Sequence, residues 1–141
     1  MIICGVDLTA NDAVICIVKL DAQLFSIIDC RVRKLSLSKK YMREDFVQFQ
    51  SLFAQLMKDY QVDKVVIKER MPKGKFAGGA VSFKLESAIQ LIKDLDVTLI
   101  TPAQIKATLA DNPFPISYAD TGLKGFQETA FTVAFVAHNL T

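Results

Sequence analysis

Three apolar runs in the first 35 residues, joined by very short polar connections, constrain the fold more than any other feature of this chain. The runs cover residues 2–6, 13–20 and 24–35, and the connections centre on residues 9–12 and 21–23. A parallel pairing needs a crossover of about a dozen residues or more, so connections this short predict antiparallel hairpins. The first run is apolar on both faces, which predicts a central strand, whereas the third alternates and is expected on the outer side.

The rest of the chain alternates helical and strand patterns. Apolar residues recur at spacings of three and four after residue 43, which is typical of an amphipathic helix packed on a sheet. Thr101, Pro102 and Gln104 form the signature of a capping box with proline at the first helical position. The predicted elements are a helix over 43–60, a strand over 64–67, a helix over 81–95, a strand over 97–100 and two helices, one beginning at Pro102 and one spanning 123–140.

Two of the apolar strands end in a carboxylate. Asp7 closes the first strand, and Glu69 closes the strand that follows the long helix. A strand that returns through a helix is expected to run parallel to the first, which brings both acids to the same edge of the sheet. Two like charges about 4 Å apart at an effective dielectric near 20 repel by roughly 4 kcal/mol. A cation or a proton is therefore expected beside them.

Composition limits the class of protein. At 141 residues the chain fits a single domain over 1–141, and 51% hydrophobic with 23% charged residues is a globular composition. No apolar run reaches the roughly 18 residues of a membrane-spanning helix, and no signal-type segment opens the chain. Cys4, Cys16 and Cys30 lack metal-binding or redox spacing, which predicts reduced core residues and a cytoplasmic location. A net charge of +2 does not by itself indicate a nucleic-acid-binding protein.

The order of elements, with an acid on the first strand and another after the fourth, resembles the ribonuclease H-like fold and, within it, the RuvC-type Holliday-junction resolvases. The stretches that carry the resemblance are residues 4–7, 65–69, 100–106 and 128–131. The resemblance implies an α/β domain in which three antiparallel strands, followed by strands parallel to the first, form a five-stranded mixed sheet flanked by helices. It also implies a homodimer formed through the helix around residues 83–95.

By the same resemblance, Asp7, Glu69 and Glu128 are the catalytic carboxylates that bind Mg²⁺ or Mn²⁺, and Lys106 contacts a phosphate. A cluster of three carboxylates holds one or two such ions about 4 Å apart, which suits hydrolysis of a phosphodiester. The implied substrate is branched DNA or another structured nucleic acid. Gly125 stands three residues before Glu128, where these resolvases usually carry a fourth acid.

A basic loop follows Glu69. It combines flexible glycines with the cations Arg70, Lys73 and Lys75 and the aromatic Phe76. In a nuclease the cations would neutralise phosphates, and the ring would stack on or wedge beside a base.

Other interpretations remain open at this point. Asp7 is also a good residue for capping a turn, and a carboxylate such as Glu128 is favoured by the dipole at the start of any helix. A non-catalytic binding or scaffold protein would keep the fold and neutralise the acids with Lys68, Arg70 or Lys106. Residues 5–9 also faintly resemble the phosphate motif of the sugar-kinase and actin superfamily, whose two-domain architecture exceeds this length.

Overall fold

A mixed sheet forms the centre of the structure, a computed structural model that describes residues 1–73 and 79–140. The strands are β1 (Ile2–Thr9), β2 (Asp12–Asp21), β3 (Leu24–Ile27), β4 (Lys34–Ser36), β5 (Lys64–Lys68) and β6 (Val97–Ile100). The helices are α1 (Arg43–Asp59), α2 (Ala80–Gln90), α3 (Pro102–Asp111) and α4 (Glu128–His138), with short 3₁₀ turns at Tyr118–Thr121 and Gly125–Gln127. Within the described residues, no helix is long and apolar enough to cross a membrane.

The strand order confirms the predicted topology. The path is β3-β2-β1-β5-β6, in which β1 pairs antiparallel with β2 and parallel with β5, and β5 pairs parallel with β6. Thr9 lies opposite Asp12, so only two residues form the first hairpin turn. β1 is therefore central, as its apolar character on both faces predicts.

The predicted third strand over 24–35 is divided in two, so the sheet has six strands where five were expected. β3 pairs with the end of β2 and β4 pairs with its beginning. Between them, the Arg31 N–H donates to the Tyr60 hydroxyl and the Arg31 guanidinium donates to Asp59, both at 2.7 Å. These bonds tie the middle of the segment to the end of α1, and Ile28 packs against the core on that side of the sheet.

The sheet separates two apolar layers. The layer under α1 and α2 includes Val6, Leu8, Phe49, Phe53, Leu56, Leu85 and Ile89. The layer under α4 includes Ile3, Val14, Val18, Val66, Phe131, Phe135 and Val136, with Ile105 and Leu109 of α3 packed against it. Gly5 lets α4 lie directly on β1, since a Cβ there would stand 2.6 Å from the backbone nitrogen of Ala134. Alternation along β1 places Asp7 on this same face.

Two helix boundaries differ by five residues from the sequence prediction, and one cap agrees with it. α2 ends at Gln90 instead of residue 95, and Asp94 beyond it has a positive φ of 61° that no helix accommodates. α4 begins at Glu128 instead of residue 123, because residues 125–127 form a 3₁₀ turn. The predicted capping box of α3 is present, with the Thr101 hydroxyl accepting from the Gln104 N–H at 3.0 Å.

Candidate active site at the edge of β1 and β5

Asp7 is a buried carboxylate on the central strand. Its residue is 8% exposed, and burial raises the pKa of its carboxyl group, while the positive charges of Lys68 and Arg70 act in the opposite direction. Val6 lies opposite Ile67 in the parallel pairing, so Lys68 is the next residue along and lies beside Asp7. The expected positive charge next to this acid is thus supplied by the chain itself.

Arg70 makes the direct ionic contact with Asp7. Its Nη1 lies 3.9 Å from Asp7 Oδ1, and the two side chains are 23% and 11% exposed. The Arg70 Nε is buried and has no hydrogen-bond partner among the described residues. Among these residues the guanidinium therefore contacts Asp7 by charge, and its Nε–H is unpaired.

Glu69 reaches the same edge of the sheet on the next strand. Its N–H donates to the Ile100 carbonyl at 2.8 Å, which fixes the backbone just beyond β5. Val65 and Ile67 belong to the apolar layer under α1 and α2, so continued alternation directs Glu69 toward that face. Asp7 and Glu69 thus approach the edge from opposite faces of the sheet.

Glu86 of α2 is a candidate site residue that the sequence analysis missed. Burial and then the neighbouring charge of Glu69 raise the pKa of Glu86, and its Oε2 is buried with no hydrogen-bond partner among residues 1–73 and 79–140. One signal was available, because Glu86 lies four residues after buried Ser82 and next to buried Leu85. An acid on the buried face of a helix next to a predicted site is a candidate ligand.

The other described residues that were predicted for the site, Glu128, Lys106 and Lys73, are exposed to solvent. Glu128 is exposed at the first position of α4, and its charge contributes, after burial and Cys16, to a raised pKa of Tyr118. Lys106 is exposed on α3, and Lys73 is exposed in the loop after β5. Lys75 and Phe76 lie outside the described residues.

The carboxylate oxygens of Asp7, Glu69 and Glu86 are of the type that binds Mg²⁺ or Mn²⁺. Both ions prefer carboxylate oxygens, and one oxygen of Glu86 is buried without a hydrogen-bond partner among the described residues. In the arrangement of residues 1–73 and 79–140, no three Asp, Glu, His or Cys side chains are grouped closely enough to hold a metal. The fit therefore rests on the donor chemistry and not on a formed coordination sphere.

Comparison with solved structures identifies the class of fold. The chain superposes on Thermus thermophilus RuvC with a TM-score of 0.75 and 13% identity, covering 99% of this chain and 94% of the other. The Fowlpox virus resolvase bound to Holliday-junction DNA gives a TM-score of 0.56 at 14% identity over 100% of both chains. The yeast mitochondrial Holliday-junction resolvase Ydc2 gives 0.57 at 10% identity, covering 97% and 78%. The protein has the ribonuclease H-like fold that its sequence predicted.

The sequence itself assigns the family. Residues 1–137 match the family described as "Protein of unknown function (DUF3010)", and the chain belongs to that family. No curated protein matches the sequence.

Proposed function

We propose that this protein is a divalent-metal-dependent nuclease that hydrolyses phosphodiester bonds in branched or structured nucleic acid. The observation that carries the proposal is Asp7, a buried carboxylate on the central strand, beside the end of the strand that Glu69 follows. Glu86 lies near Glu69, on the other face of the sheet. Buried carboxylates with a shifted pKa concentrate where chemistry occurs, and burial raises the pKa of Asp7. The shape shared with three resolvases supports this choice of reaction.

Asp7, Glu69 and Glu128 are the proposed metal-binding and catalytic carboxylates, and Glu86 is a further candidate ligand. When bound, Mg²⁺ or Mn²⁺ would activate water and stabilise the leaving oxygen. Asp7 is rigidly placed because it lies within β1, and Glu69 is fixed by its backbone bond to Ile100. Glu128 contributes from the first turn of α4, the helix that packs directly over β1.

The cations around this edge are the proposed nucleic-acid contacts. Arg70 and Lys73 follow β5 directly, and Lys106 lies exposed on α3, the helix that packs beside α4. Lys75 and Phe76, which lie outside the described residues, are candidates for the same contacts from the sequence alone. Each cation that neutralises a phosphate should make binding more sensitive to salt.

Cleavage of a labelled four-way DNA junction in Mg²⁺ or Mn²⁺ tests the proposal, with linear duplex and RNA/DNA hybrid as alternative substrates. Asp7→Asn and Glu69→Gln should each reduce cleavage by about 100-fold or more, because each removes a charged metal ligand. Glu44→Gln, which changes an exposed acid in the first turn of α1, is the matched control and should cleave normally. Cleavage that persists in Asp7→Asn would refute the assignment.

A non-catalytic nucleic-acid-binding protein is the second candidate, and a specific contact favours it. Arg70 already neutralises Asp7, as such a protein would require, and Gly125 occupies the place of a fourth acid. The same experiment separates the two functions. Folded wild-type protein that binds the junction without cutting it would favour this second candidate.

We also propose that the protein acts as a homodimer formed through α2. A groove between α1 and α2 is lined by Phe46, Phe83 and Leu91, and Leu91 is 74% exposed. Two nuclease sites arranged by a twofold axis would match the two strands that must be cut in a symmetric junction.

A further inference from the structure

The contact between Arg70 and Asp7 places an internal cation against the carboxylate proposed to bind metal. Arg70 is largely buried, and Lys68 adds a second positive charge on the neighbouring strand. Neither cation comes from β1, the strand of Asp7: Lys68 is the last residue of β5, and Arg70 follows that strand. This inference rests on the proposed function, because it concerns access to the same site.

The ion pair between Arg70 and Asp7 is longer than a direct hydrogen bond between the two groups. A charge-assisted bond between a guanidinium and a carboxylate is typically about 2.7–2.9 Å long and often bidentate. Here one nitrogen stands 3.9 Å from one oxygen. The buried Nε has no hydrogen-bond partner among the described residues, so within them the guanidinium makes fewer bonds than its five N–H groups allow.

We infer that Arg70 is a displaceable counter-ion, which neutralises Asp7 before metal binds and releases it when a divalent cation arrives. The guanidinium and the metal carry charges of the same sign and compete for one carboxylate. The affinity for metal is therefore lower than Asp7 alone would provide. Once released, the N–H groups of Arg70 become available to a phosphate of the substrate, so metal and nucleic acid would each promote binding of the other.

Calorimetric titration with Mn²⁺ alone, without nucleic acid, tests this inference on the full chain. Arg70→Gln should lower the dissociation constant for Mn²⁺ by about tenfold or more, because it removes the competing charge. Arg70→Met should do the same while keeping an unbranched apolar stem, which guards against a fold defect in the first variant. Arg33→Gln, which removes an exposed arginine before β4, is the matched control and should leave the affinity unchanged.

The outcomes separate this inference from the proposed function. Tighter binding by both Arg70 variants, abolished when Asp7→Asn is added, would establish the counter-ion. Equal Mn²⁺ affinity in wild type and both variants would overturn the inference and leave the metal site standing. Absence of Mn²⁺ binding in wild type and in both variants would overturn the counter-ion and the metal-dependent function together.

Discussion

At the scale of single residues, two buried polar side chains at the ends of α4 form hydrogen bonds with the sheet. The Gln127 amide donates to the Ile15 carbonyl at 3.1 Å, and His138 Nε2 lies 2.7 Å from the Val18 carbonyl. Both acceptors belong to β2, so these side chains fasten the two ends of α4 to one strand. A carbonyl only accepts, which means that His138 Nε2 carries a hydrogen.

Acid should destabilise the fold through His138. Burial lowers the pKa of this histidine below its ordinary value, so the unfolded chain binds a proton more readily than the folded protein. The stabilising contribution is complete above a pH of about 6.5 and is lost as the pH falls toward the folded-state pKa. Urea midpoints at neutral and mildly acidic pH should show this loss, and His138→Gln should reduce it. An unchanged pH dependence in the variant would contradict the assignment.

Gly5 should tolerate no side chain. A Cβ at this position would stand 2.6 Å from the Ala134 nitrogen and would also meet the Ala130 carbonyl oxygen, and both are backbone atoms of α4. Gly5→Ala should therefore cost about 3 kcal/mol or more of unfolding free energy, measured by chemical denaturation. Gly125→Ala, with nothing within 4 Å of its added Cβ, should change stability by less than about 0.5 kcal/mol.

At the scale of elements, hairpin turns and caps decide where the strands and helices stop. The turn between β2 and β3 consists of Ala22 and Gln23, with positive φ values of 49° and 68°. Positive φ at both central residues is typical of a two-residue hairpin turn that favours Asn-Gly. Other residues adopt this conformation at a cost in free energy. The turn is thus specified by the pairing of its two strands more than by its own residues.

A better turn sequence should stabilise the protein. Ala22→Asn combined with Gln23→Gly places preferred residues at both positive φ values. The double variant should raise the free energy of unfolding by about 1–2 kcal/mol, because it relieves strain in the folded backbone. Denaturation midpoints measured at constant slope would show this gain, and a loss of stability would mean that the turn differs from the one described.

At the scale of the whole molecule, two leucines stand out among the exposed apolar residues. Leu91, at the end of α2, and Leu24, at the start of β3, are both 74% exposed. Only Leu91 borders the groove between α1 and α2 where the proposed dimer would form. The two leucines therefore provide a matched pair for testing the interface.

Leu91→Glu should convert the proposed dimer to a monomer, because it places a charge in a contact that would be desolvated. Light scattering after size exclusion measures this directly. Leu24→Glu makes the same chemical change at equal exposure and should leave the dimer intact. A monomeric wild-type protein, or dissociation by both substitutions, would contradict an interface through α2.

Local patterns in the sequence determined the order of strands, the long amphipathic helix and the capping box at Thr101, since each depends on neighbouring residues and on connection length. They also placed Asp7 and Glu69 on adjacent parallel strands, although β1 continues past Asp7 to Thr9 instead of ending there. Only the tertiary structure decided that residues 24–35 divide into two strands, with Arg31 between them bonded to the end of α1. It likewise decided that Arg70 meets Asp7 and that Glu86 approaches Glu69. These contacts depend on how a loop turns and which helix packs over the strand ends, and neither is encoded in the spacing of nearby residues.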